Sequence, residues 1–196
     1  HLDFRRQRQM CIRDRTYTVE LKVLDKTYTR PFIVRMDPRW NVSIDDLEKQ
    51  YDISNEVILM INESQEKLAE MRGVVKQVSN YINLTEGKDF HDDVRDLGNR
   101  IIKSIQEIEK NLYQDKIETS QDEINYPRKW TNHITHLYDR LTTDDQAPND
   151  GMLERVKELE EDYKRYIGPY NKIVNEDVPS FTQFLRDKGA MGIILD

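Results

Sequence analysis

The sequence predicts a mainly α protein, an antiparallel bundle of three to four long helices preceded by a β-hairpin. Three observations carry that reading. Residues 16–36 alternate apolar with polar side chains, a period of two. From Ser43 onward, apolar residues recur at steps of three and four along several separate stretches. Clusters rich in Gly, Pro, Asp and Asn divide those stretches.

Residues 1–15 stand apart. They hold five Arg and two Asp, show no alternation and no cap, and begin with His. The run Gln9–Arg15 resembles translated sequencing-adapter sequence, so residues 1–15 are expected to be an artefact or a disordered tail. Cys11, the single cysteine, falls in this run and is given no role; one cysteine excludes an intrachain disulfide framework.

From Thr16 to Val23, Tyr17, Val19, Leu21 and Val23 fall on one side of a strand. A polar turn is expected at Leu24–Thr27, and Tyr28, Phe32, Val34 and Met36 mark the returning strand. Pro31 lacks an N–H and suits an edge or a bulge. Two strands alone are marginal in water. Residues 16–37 are therefore expected to be the end of a β-sandwich whose other strands lie upstream, and residues 38–196 to be the bundle.

Ser43, followed by Asp45 and Asp46, is the start signal of the first helix. Its apolar stripe is expected along Leu47, Tyr51, Ile58, Ile61, Leu68, Val75 and Ile82, widened by Val57, Met71, Val74 and Val78, with an end near Tyr81. A second helix is expected from Phe90 to Tyr113, capped by Asp89, with Val94, Leu97, Ile101, Ile105, Ile108 and Leu112 inward. Pro127 is expected in the first turn of a third helix that carries Trp130, Ile134, Leu137 and Leu141. The last long helix starts at Asn149 or Asp150 and carries Met152, Val156, Leu159, Tyr163, Tyr166, Tyr170 and Ile173. Pro169 is expected to kink it and Pro179 to break it before a short terminal helix. Residues 189–195 form an apolar tail.

Composition narrows the function classes. The formal net charge is -7, a poor basis for general nucleic-acid binding. No apolar run approaches the roughly 20 residues needed to span a bilayer. His133 and His136 are spaced to share a metal, but no compelling acidic partner lies in their segment, so they read as surface or boundary histidines. Glu158, Glu160, Glu161 and Asp162 interleave with Lys157, Lys164 and Arg165, the pattern of a solvated face laced with ion pairs. Phosphate loop, nucleophile elbow and zinc patterns are all missing from the sequence, and neither catalytic residues, metal ligands nor a cofactor are expected. Trp130, Tyr163, Tyr166 and Tyr170 are the candidate interaction surface, on which a glycan or peptide could stack, although the three-four spacing of the tyrosines is more often that of core or interface residues.

Four segments carry a family resemblance: Thr16–Arg39, Ser43–Tyr51, Tyr113–Asn132 and Asp177–Phe181. They resemble the C-terminal region of secreted bacterial proteins with a sortilin-like, Asp-box β-propeller, often labelled glycosyl hydrolases. The resemblance implies a Thr-Tyr-Thr-Val strand closing a small β-sandwich, then a helical bundle. It implies a periplasmic or extracellular location, with upstream propeller and sandwich domains as partners. It carries no catalytic residue to this chain, since the hydrolase label belongs to the propeller. The expected function is a non-catalytic accessory region with a packing or assembly role. The alternative is a glycan- or peptide-binding module that uses exposed aromatics.

Overall fold

The computed structural model describes residues 15–35, 38–39, 41–117, 119 and 122–190. The expectations for residues 1–14, for Met36 and for the tail beyond Ala190 lie outside the described residues. Within them the chain is mainly helical, with an antiparallel hairpin ahead of the helices.

Strands β1 (Arg15–Val23) and β2 (Lys26–Val34) pair with Tyr17 opposite Phe32, Val19 opposite Arg30 and Leu21 opposite Tyr28. Paired residues share a face, so Tyr17, Val19, Leu21, Val23, Tyr28, Phe32 and Val34 all lie on one side. The Tyr17 and Phe32 rings stack at 5.6 Å between centroids. The loop is two residues, Leu24 and Asp25, shorter than the expected turn. So tight a loop needs a left-handed residue. Leu24 fills that place with φ 53°, a conformation that costs a leucine about 1–2 kcal/mol.

Helix α1 (Ile44–Leu84) opens where Ser43 and Asp46 cap each other. The Asp46 N–H donates to the Ser43 hydroxyl at 3.1 Å, and the Ser43 N–H donates to the Asp46 carboxylate at 3.2 Å. Ser43 holds the Asp46 carboxyl below the usual carboxylate range. The helix passes Tyr81 and spans about 60 Å. Helix α2 (His91–Leu112) begins after Asp89, with Phe90 in the cap position and no side-chain cap bond. Asp89 lies one residue too early to cap it. Helix α3 (Trp130–Thr143) starts after Pro127, which belongs to the connection instead. There the Pro127 carbonyl accepts from Gln114 Nε2 at 2.8 Å, and Gln114 is buried. Helix α4 (Asp150–Lys172) starts as expected, with Asn149 Oδ1 accepting from the Met152 N–H at 2.9 Å.

Neither late proline interrupts the chain. Pro169 lies inside α4, and Pro179 sits in the first turn of α5 (Val178–Asp187), where a missing N–H is harmless. Between the two helices runs a π-helical turn, Ile173–Asp177. Buried residues up to its first position are Tyr163, Ile167, Tyr170 and Ile173; after it come Val178, Phe181 and Leu185. An α-helix would rotate the second set off the core, because the step from Ile173 to Val178 is too long for one α turn. The wider π turn absorbs the extra residue.

These helices make three columns. The first is α1. The second is α2 followed by α3, both antiparallel to α1: Arg72 of α1 pairs with Glu109 of α2 at 2.7 Å. Gln50 near the start of α1 donates to the carbonyls of Leu141 and Asp144, each at 2.6 Å, at the end of α3. Those carbonyls are ones a helix end leaves open. The third column is α4, the π turn and α5, which run parallel to α1: Tyr163 meets Glu63 and Tyr170 meets Glu70. One continuous core joins all three columns.

In α1 the stripe is offset from the expected one. Val57, Met60, Leu68, Met71, Val74 and Val78 are central, with Ser54 and Ser64 buried among them. Ile58 and Ile61 are only half-buried and Tyr51 is exposed. The reason is that α1 faces two columns, so its buried arc is wide and no single line of apolar residues marks its centre. The hairpin is different: its strands pack chiefly on each other, and Val19, Leu21, Val23, Tyr28 and Phe32 remain 48–59% exposed.

Candidate functional site

Two places merit comparison with the expected interaction surface. One is the seam between α1 and α4. Trp130, at the start of α3, donates from Nε1 to the Leu159 carbonyl at 2.8 Å and stacks on Tyr163 at 4.8 Å between centroids. The Tyr163 hydroxyl donates to Glu63 at 3.3 Å, and the Tyr170 hydroxyl donates to Glu70 at 3.1 Å. Tyrosines seven residues apart thus meet glutamates seven residues apart, which fixes the register of two parallel helices. Burial, then the neighbouring carboxylate, pushes both hydroxyls above the usual tyrosine range.

This geometry corrects the expected strip. Trp130, Tyr163 and Tyr170 are buried, their ring faces and polar tips already occupied within the bundle. Only Tyr166 is partly exposed, with the Arg165 guanidinium over its ring at 5.5 Å. The four do not form a surface that a glycan or peptide could stack upon. The three-four spacing belongs to the core, and the polar tips made the residues look more external than they are.

A shallow groove of about 370 Å3 runs along the same seam, floored by Met60, Tyr163 and Ile167 and edged by Glu56, Glu63 and Glu160. Glu160 is held by Lys164 at 2.6 Å, and Glu63 accepts from Tyr163. Two more members of the acidic run are paired, Glu158 with Arg155 and Asp162 with Arg165. His133 is half-buried and His136 exposed. Desolvation, then the nearby Arg155, Arg128 and His136, hold the His133 imidazole below the usual histidine range. A pair in such cationic company is poorly placed to collect a cation. Among the described residues no group of three or more His, Cys, Asp or Glu could hold a metal ion. Nor is any helix among them long and apolar enough to cross a membrane.

The second place is the hairpin. Its apolar face is a continuous exposed patch on a chain whose helices otherwise close their own core. Alternation in the sequence marks that face directly. Comparison with known protein families, curated proteins and solved structures finds no match to this chain.

Proposed function

We propose that this chain is a non-catalytic accessory region of an exported, sortilin-like β-propeller protein. In this reading the bundle is a stiff packing or assembly element, and the hairpin is its point of attachment to a β-sandwich. One observation carries the proposal: the apolar face of the hairpin is open while the bundle core needs nothing further. Burying a Val, Leu or Phe side chain fully is worth about 1.5–3 kcal/mol. A face with five such residues half-exposed has several kcal/mol to gain from a cover. The Thr16–Arg39 resemblance suggests the sandwich as that cover and a periplasmic or extracellular setting.

The test uses residues 41–196 and the full chain side by side. Both are expected to show the same helicity and the same cooperative melt, and to leave a panel of chromogenic glycosides unhydrolysed. Turnover by either protein, lost on boiling and retained through purification, contradicts the proposal.

A further inference from the structure

The two edges of the hairpin are not equivalent. With a two-residue loop, Val23 and Lys26 form the hydrogen-bonded pair next to the turn. Alternation from there points the N–H and C=O groups of Thr16, Thr18, Glu20 and Lys22 away from β2. On the other strand it points Thr27, Thr29, Pro31 and Ile33 outward. Pro31 has no N–H, so the outer edge of β2 lacks a donor near its middle. The outer edge of β1 is uninterrupted.

The two faces differ in charge as well. Glu20 and Lys22 lie on the polar face and pair with each other at 2.9 Å. On the apolar face the charged side chains of residues 16–34 are Lys26 and Arg30, both cationic. Neither has an ion-pair partner among the described residues. Arg30 stands in the middle of the face, opposite Val19. A second copy laid on this face would set cation against cation. A lipid surface would leave the open backbone groups of β1 without hydrogen-bond partners.

We infer that the hairpin docks to an acidic β-strand, which pairs along the outer edge of β1 and places a carboxylate in the apolar row beside Val19, within reach of Arg30. This rests on the reading of the hairpin as an attachment point and adds which edge is used and which charge is sought. Strands lie about 4.8 Å apart, so an arginine lying over the intervening valine spans to a glutamate on the next strand. The blocked edge of β2 then becomes the rim of the finished sheet.

The probe is the peptide Val-Thr-Val-Thr-Glu-Thr-Val-Thr-Val, titrated into the full chain while backbone amide shifts are followed. Its counterpart has Lys in place of Glu. Shifts are expected at Thr16, Thr18, Glu20 and Lys22 and not at Thr27, Thr29 or Ile33. The Lys peptide should bind about threefold more weakly, the range of one cross-strand charge pair. Glu20→Pro should abolish binding, and Thr29→Pro, at the matching position on the blocked edge, should keep it. Arg30→Glu should invert the preference between peptides. Shifts along β2, equal binding of both peptides, or binding of neither overturns the inference. So does binding to phosphatidylserine vesicles at the same residues, or self-association that Glu20→Pro abolishes. Amide exchange of the hairpin, measured without peptide, separates this failure from that of the attachment reading.

Discussion

At the scale of single residues, two positions are hidden in the sequence and each makes a measurable claim. Ser54 is buried in α1 and its hydroxyl has no hydrogen-bond partner. An orphaned buried hydroxyl costs about 1 kcal/mol or more. Ser54→Ala is therefore expected to raise stability by about 1 kcal/mol in urea unfolding. Gly98 of α2 is buried, and a Cβ there would come within 2.8 Å of Val78 Cγ1 and 2.9 Å of Ile82 Cδ1. Gly98→Ala gains about 1 kcal/mol of helix propensity. Overpacking costs about 1–3 kcal/mol. A net loss of about 1 kcal/mol is expected, read from the same unfolding curves. Sequence patterning flags neither position, because a helical serine and a helical glycine look like exposed residues until a neighbouring helix is placed against them.

The tyrosine-glutamate ladder makes a pH claim at the same scale. An unfolded tyrosine ionises near pH 10. In the fold, Tyr163 and Tyr170 hold their protons beyond that. Their contribution is thus intact below pH 10 and is lost as the pH rises further, when the unfolded chain sheds protons that the fold retains. Stability should fall on that alkaline limb in the native chain, and the fall should be smaller in the Tyr163→Phe, Tyr170→Phe double variant. At pH 7 each substitution should cost about 1 kcal/mol, the size of one hydrogen bond.

At the scale of elements, the sequence makes legible what local chemistry decides. Ser43 and Asn149 start helices where the sequence places them, because each cap is completed within three residues by Asp46 N–H and Met152 N–H. The strand alternation gives the hairpin, since one face and one turn suffice to define it. The structure departs from local expectation where tertiary contact decides. Pro179 reads as a break, yet the third column stays helical, because the π turn keeps Val178, Phe181 and Leu185 on the core and Pro179 sits in a first turn that tolerates a missing N–H. The π turn is the visible cost of that continuity. Deleting exposed Asn175 should convert it to an α turn and leave the unfolding midpoint unchanged or higher. Loss of near-ultraviolet tyrosine and phenylalanine signals in that variant would show instead that α5 has been pulled off the core.

At the scale of the whole molecule, the chain divides by how each part is held. Three helical columns share one core, cross-linked at Gln50–Leu141, Arg72–Glu109 and Tyr170–Glu70. The hairpin is held by its own ladder and one aromatic stack. An isolated two-stranded hairpin is marginal. Its stability should then be far below that of the bundle, and the two should open independently. The aromatic strip that the sequence offered as a binding surface is instead part of what makes the bundle rigid. The continuous exposed apolar face is on the strands.

Native-state amide hydrogen exchange of the full chain tests this division most directly. Amides of Val57, Ile105, Ile134 and Leu159 should exchange only through global unfolding. Those of Val19, Leu21 and Tyr28 should exchange orders of magnitude faster. Hairpin amides protected to the same free energy as the bundle, and released with it, would mean that the helices already hold the strands, and would contradict an independent, open hairpin.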